Sequence, residues 1–162
     1  MSLRESALQP VPCVVLDNNT VLDWLLFRDP AGLAVGAALA RSEMRWTGSA
    51  EMRAELDHVL GRGELARWQP DSAAIWAEWT RHCTEVPAPP VTLGALRFRC
   101  SDPDDQKFID LAVSQQARWL LTRDRAVLKL ARRLREEAGV SVLTPSAWLA
   151  TRAATPAAAA KD

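Results

Sequence analysis

Short apolar runs alternate with helical stretches along this chain, and that alternation narrows the folds open to it. Val14-Val15-Leu16 is an apolar, β-branched run halted by Asp17, and Trp119-Leu120-Leu121-Thr122 is another, with Asp124 close behind. Runs that are apolar at successive positions suit strands buried on both faces of a sheet. Met44 to Thr47, Cys83 to Val86 and Val140 to Leu143 supply three more.

The spacing predicts helices between these runs. Thr20 is the expected cap of one bearing Val21, Leu22, Leu25 and Leu26. Arg28 to Gly32 breaks that pattern, and Leu33 to Ala40 resumes it. Ser49 is the expected N-cap of a helix with an apolar stripe at Met52, Leu56, Val59 and Leu60, ended by Gly61 and Gly63. Asp71 to Arg81 reads as another helix. Asp102-Pro103 opens one whose buried face holds Phe108, Leu111 and Ala112. A basic helix carries Val127, Leu128, Ala131 and Leu134 as far as Gly139, and Thr144-Pro145 opens a last one with Trp148 and Leu149. Strands linked through helices imply an α/β fold, with a central, mainly parallel sheet of about five strands and helices on both faces.

A chain of 162 residues is the size of one domain that buries its own core. The expected divisions are an N-terminal extension over 1–11, the α/β domain over 12–150 and a disordered, Ala-rich tail over 151–162. No apolar run has membrane-spanning length and Met1 to Pro12 has no signal-type apolar stretch, so a cytoplasmic protein with no membrane partner is expected. Cys13, Cys83 and Cys100 lack the spacing of a disulfide framework or zinc site and read as reduced thiols. Twenty basic and twenty acidic residues cancel, which leaves only local patches to attract nucleic acid. One such patch runs from Arg118 through Arg123, Arg125, Lys129, Arg132 and Arg133 to Arg135; a solvated helix face and a phosphate-binding surface are equally consistent with it. Trp24, Trp46, Trp119 and Trp148 sit in apolar patterns and are expected in the core, while His58 and His82 read as surface residues.

Ligands of open parallel sheets bind beyond the carboxyl ends of the strands, which is where Asp17 and Asp124 stand. Either one alone is also what a turn or cap uses. Glu55 flanks the apolar stripe of its helix, where it either reaches solvent or meets a partner; Asp57 points away. Asp105, three residues before Phe108, continues the buried face of its helix toward the N-terminus, while Asp110 lies opposite. Capping and the helix dipole account for Asp102 well, and less completely for Asp104 and Asp105 beside it. Asp17, Glu55, Asp105 and Asp124 are thus expected to meet at one end of the sheet. Four like charges there need protons or a cation, and an all-oxygen set points to Mg²⁺ or Mn²⁺.

The order and context of these residues resemble the PIN-domain nucleases. Val14-Val15-Leu16-Asp17-Asn18-Asn19-Thr20-Val21-Leu22 is similar to the family's first motif, and Ser49-Ala50-Glu51-Met52-Arg53-Ala54-Glu55-Leu56 to its second. Cys100-Ser101-Asp102-Pro103-Asp104-Asp105-Gln106-Lys107-Phe108-Ile109-Asp110-Leu111-Ala112 closely resembles a subgroup of toxins from toxin-antitoxin pairs. Leu120-Leu121-Thr122-Arg123-Asp124 matches the closing Thr-x-Asp motif, and the similarity runs from about Val14 to Leu149. Two points depart from the family: Asn18 replaces the usual Thr, which is expected to weaken hydrogen bonding around Asp17, and the Trp-rich middle around Trp68, Trp76 and Trp79 is not diagnostic.

The resemblance implies a PIN-like three-layer α/β/α sandwich and a metal-dependent ribonuclease. Asp17, Asp105 and Asp124 would hold Mg²⁺ or Mn²⁺, and Glu55 would complete the catalytic set. Asp104 competes with Asp105, whose spacing to Leu111 and Ala112 is the better fit. Asn19 and Thr122 are expected to steady the carboxylates, and Arg123 and Arg125 to grip RNA phosphates. A homodimer and a cognate antitoxin are the partners the resemblance implies. Two other functions stay open at this stage. One is a catalytically inactive PIN-like RNA-binding or scaffold module. The other is a phosphatase-like hydrolase with Asp17 as nucleophile, although Asn19 stands where that signature has its second Asp.

Overall fold

Five parallel strands form one sheet in the order β3-β2-β1-β4-β5. They are β1 (Cys13–Leu16), β2 (Arg45–Gly48), β3 (Cys83–Glu85), β4 (Trp119–Leu121) and β5 (Ser141–Leu143) in the computed structural model, which describes residues 10–90 and 97–154. All four residues of the central β1 are buried, as a strand covered on both faces requires. The edge strand β3, Cys83-Thr84-Glu85, is polar and partly exposed, which discourages pairing with another chain.

Eight helices accompany the sheet among the described residues: α1 (Asn18–Leu25), α2 (Pro30–Ala40), α3 (Ala50–Gly61), α4 (Ser72–His82), α5 (Gln106–Ser114), α6 (Arg125–Leu128), α7 (Ala131–Ala138) and α8 (Pro145–Ala154). The fold is a three-layer α/β/α sandwich. Among the described residues, no helix is long and apolar enough to cross a membrane, and all three cysteines are free thiols.

Several helix boundaries shift from the sequence expectation for identifiable reasons. Thr20 does not cap α1. The helix starts at Asn18, and the Thr20 hydroxyl donates instead to the Leu121 carbonyl at 3.0 Å, tying α1 to β4. The second helix starts at Pro30, because Asp29 accepts from the Ala31 N–H and Pro30 suits the first turn. Gly32, expected in the break, lies inside α2 where the helix meets α1: a Cβ there would sit 2.5 Å from the Asp23 carbonyl carbon. The basic helix divides into α6 and α7, and Gly139 ends it with φ 70°. Helix α8 runs past the boundary expected at 150. Of the expected extension over 1–11 and tail over 151–162, residues 1–9 and 155–162 lie outside the described residues.

The core holds Trp46, Trp79, Trp148 and Phe108. Trp24, Trp46 and Trp79 meet edge to face at 5.9 and 4.7 Å. Trp119 is half-buried and packs on Trp148. His82 is not a free surface residue: it lies against Trp24 and pairs with Glu78 at 3.2 Å.

Candidate active site

The strand order places a switch point between β1 and β4, because the chain proceeds from β1 to β2 on one side and reaches β4 on the other. Crevices at such points are where open parallel sheets bind ligands. The register pairs Leu16 with Leu121, so Asp17 and Thr122 leave the sheet side by side. The Asp17 N–H donates to the Leu121 carbonyl at 2.9 Å, and the Thr122 hydroxyl donates to Asp17 Oδ2 at 2.6 Å. The same Thr122 oxygen accepts the Asp124 N–H at 2.9 Å. Thr122, fully buried, therefore links two of the expected acids through one hydroxyl.

Asp124 is both a cap and a site residue. Its Oδ1 accepts the Ala126 N–H at 2.8 Å to start α6. Asp105 arrives from another element, a 3₁₀ turn over Pro103–Asp105 that leads into α5. Asp102 caps this turn by accepting the Asp104 N–H, as the sequence suggested. Gln106 then anchors it to the preceding loop. Its side chain accepts from the Cys100 N–H and donates to the Phe98 carbonyl and to Asp110.

Asp17, Asp105 and Asp124 each offer a carboxylate oxygen within 4.8 Å of the others. Asp17 and Asp105 are buried and Asp124 is half-buried. Among the described residues, no ion pair involves any of the three. Burial pushes the Asp17 carboxyl above its ordinary range; the Thr122 hydroxyl and the Asn19 backbone N–H oppose that shift, and the Asp124 and Glu55 charges add to it. The Asp105 carboxyl is pushed up to about 8, first by burial, then by its carboxyl-to-carboxyl contact with Asp124 and by the charges of Asp17, Asp124 and Asp102. Among the described residues, Asp105 Oδ2 also has no hydrogen-bond partner, although it is buried. An orphaned acceptor among three converging oxygen ligands suits a hard divalent cation, which would satisfy Oδ2 and remove the need for a proton.

Glu55 does not join that trio. It sits half-buried on α3, where Lys107 Nζ of α5 meets its Oε2 at 2.7 Å and the Asn18 amide donates to the same oxygen at 3.4 Å. Asp104 is exposed, outside the cluster, and offers only its backbone carbonyl to Lys107 at 2.5 Å. The side chain of Asn19 holds no carboxylate. It accepts the Arg123 N–H at 3.3 Å and so steadies the turn after β4, while its backbone N–H serves Asp17. Asn18 does not act on Asp17 through its side chain: its amide turns to α3, donating to the Met52 carbonyl at 3.1 Å as well as to Glu55.

Arg123, on the turn after β4, and Arg125, the first residue of α6, are exposed on either side of Asp124 in the chain, but Arg123 is engaged with the buried Asp23 at 2.8 Å. Farther along the basic stretch, Arg132 and Arg133 pair with Glu136 and Glu137 one turn on, the pattern of a solvated helix face. Sequence reasoning missed Asn18, Gln106 and Lys107 as residues that organise the site. The available signal was their place inside the first and third motifs, directly beside Asp17 and Asp105.

Fold and site together define an α/β domain with a cluster of three carboxylates, able to hold a metal ion, at the switch point of a parallel sheet. The family model of the PIN domain matches residues 13–126, a span that contains all four acids. The chain belongs to the PIN domain family, whose members are generally nucleases. Comparison with curated proteins finds no match.

Proposed function

We propose that this protein is a Mg²⁺- or Mn²⁺-dependent endoribonuclease that hydrolyses phosphodiester bonds of RNA. The observation that carries the reading is the cluster of Asp17 and Asp105, both buried, with half-buried Asp124, which has no cationic partner among the described residues and leaves Asp105 Oδ2 unsatisfied. These three residues would hold the ion. When bound, such an ion lowers the pKa of a water and offsets charge on the phosphate. The protein's own groups prepare the site. Thr122 orients Asp17 by its hydroxyl, the capping bond to Ala126 fixes Asp124, and Gln106 pins the turn that presents Asp105. Glu55 completes the acidic set from α3. Arg125 is the exposed cation best placed to take a flanking RNA phosphate, since Arg123 is already shared with Asp23.

Family membership favours this over the phosphatase-like reading, and the presence of all four acids favours it over an inactive scaffold. The resemblance of Cys100 to Ala112 to toxin sequences extends the proposal to a cytoplasmic toxin that acts as a homodimer and is restrained by a cognate antitoxin.

Labelled RNA incubated with the full chain tests the activity. Cleavage is expected with Mg²⁺ or Mn²⁺ and is stopped by EDTA, and Asp17→Asn or Asp124→Asn is expected to reduce it at least 100-fold. Wild-type cleavage rates in either variant, or cleavage indifferent to EDTA, would overturn the assignment. Cleavage of single-stranded DNA in place of RNA would overturn the substrate class.

A further inference from the structure

Lys107 is the one cation bound to any of the four acids among the described residues, and its placement is unlike that of a surface ion pair. Its ammonium bridges two elements: Glu55 Oε2 on α3 at 2.7 Å, and the Asp104 carbonyl in the turn that carries Asp105 at 2.5 Å. The side chain is only 22% exposed, and Nζ lies 5.2 Å from the centroid of the Phe108 ring. Exposed pairs between mobile side chains are weak and easily exchanged. A partly buried ammonium with two acceptors on different elements is held in place.

The partner is held as firmly. Glu55 Oε2 also receives the Asn18 amide, whose other bond goes to the Met52 carbonyl on α3. Asn18 directly follows Asp17. Glu55 is thus tied from one side by the segment of the first acid and from the other by the segment of the third, yet it stays out of the three-carboxylate cluster. In sites with two ions, the second sits about 3.5–4 Å from the first, and as a hard cation it takes carboxylate oxygens as ligands. Here the position against the Glu55 carboxylate is taken by a positive charge that belongs to the chain.

We infer that Lys107 is a positioning residue whose ammonium replaces a second divalent ion: with Asn18 it fixes Glu55 beside the three aspartates and limits the centre to one ion. The inference deepens the nuclease reading and rests on its cation site. Glu55 is then an oriented hydrogen-bond acceptor at the rim of the site and not a metal ligand. Reduction of Lys107 to an apolar side chain frees that carboxylate to bind a cation itself.

Calorimetric titration of the full chain with Mn²⁺ alone tests this apart from catalysis. Wild type is expected to take up one ion, and Glu55→Gln to change its affinity less than about threefold, whereas loss of a direct ligand or of its closest support costs about 10- to 100-fold. Lys107→Met is expected to gain a second ion or to tighten the first at least about fivefold, the double variant Lys107→Met/Glu55→Gln to lose that gain, and Lys107→Arg to behave as wild type. In RNA cleavage, Lys107→Met is expected to lower kcat about tenfold or more with KM little moved, and Lys107→Arg to restore it.

Two ions on the wild type, a tenfold loss in Glu55→Gln, or a Lys107→Met protein that titrates like wild type would overturn the inference and leave the nuclease reading standing. A raised KM with intact kcat would also overturn it, because Lys107 would then hold substrate phosphate. Absence of any Mn²⁺ binding to wild type would overturn both readings. Should Lys107→Met fail to fold by circular dichroism, Glu55→Gln decides alone.

Discussion

Divalent-ion binding to this protein is expected to expel a proton from Asp105, and the structure sets how many protons and over which pH range. With its carboxyl pushed up to about 8, Asp105 in the ion-free protein is about nine-tenths protonated at pH 7 and about one-tenth at pH 9. An ion ligates only the carboxylate, so binding at pH 7 releases about 0.9 proton from this group, and its apparent affinity rises about tenfold between pH 7 and pH 9. Titration with Mn²⁺ in two buffers of different ionisation enthalpy reads the release directly, as the slope of observed heat against buffer enthalpy. Tight binding at pH 7 with no proton released would refute the reasoning, for it would mean that the three carboxylates coexist ionised without a cation. The same linkage governs stability. A carboxyl whose pKa is raised by folding stabilises the ion-free fold below the ordinary carboxylate range, and that contribution disappears as pH rises through about 8. Asp17, also raised, acts in the same direction. The Tm of the ion-free protein is therefore expected to fall from pH 5 to pH 8.5, and Mn²⁺ to flatten the decline.

Thr122→Val removes both the donor to Asp17 at 2.6 Å and the acceptor of the Asp124 N–H at 2.9 Å. A loss of about 2 kcal/mol in urea unfolding is expected, with Thr122→Ser close to wild type. Mn²⁺ affinity in Thr122→Val should fall about tenfold or more, and unchanged affinity would show that the hydroxyl does not orient Asp17. Gly32→Ala would place a methyl 2.5 Å from backbone atoms of α1, and a cost of about 1–3 kcal/mol or more is expected. Gly61→Ala at the end of α3, where nothing lies within 4 Å, should be neutral or stabilising; equal effects of the two would contradict the close packing of α1 on α2.

What the sequence made legible follows from how local the causes are. The apolar run Val14-Val15-Leu16 announces a buried strand because no half-exposed strand is apolar at three successive positions. Ser49 announces the start of α3 because its hydroxyl accepts from an N–H three residues on. Thr20 misled for the converse reason: its hydroxyl is used across the fold, on Leu121. Helical spacing placed Glu55 on the flank of α3 but not its partner, since Lys107 belongs to α5 and meets it only after the sheet has set the two helices. Asn18, read as a weakened substitute beside Asp17, works instead on the helix that carries Glu55.

The convergence of the acids depends finally on one register. Side chains alternate across a strand, so a slip of one residue between β1 and β4 would exchange their faces. The observed pairing of Leu16 with Leu121 is reinforced just past the end of β1, by the Asp17 N–H on the Leu121 carbonyl and by the Thr20 hydroxyl on that same oxygen. Thr122 then meets Asp17, and its backbone turns so that Asp124 caps α6 through Oδ1 and also offers a carboxylate oxygen to the cluster. A capping role and a ligand role for Asp124 are therefore not alternatives. The cap fixes the carboxylate in the orientation a ligand needs, which is why residues that read individually as ordinary turn formers make a site only as a set.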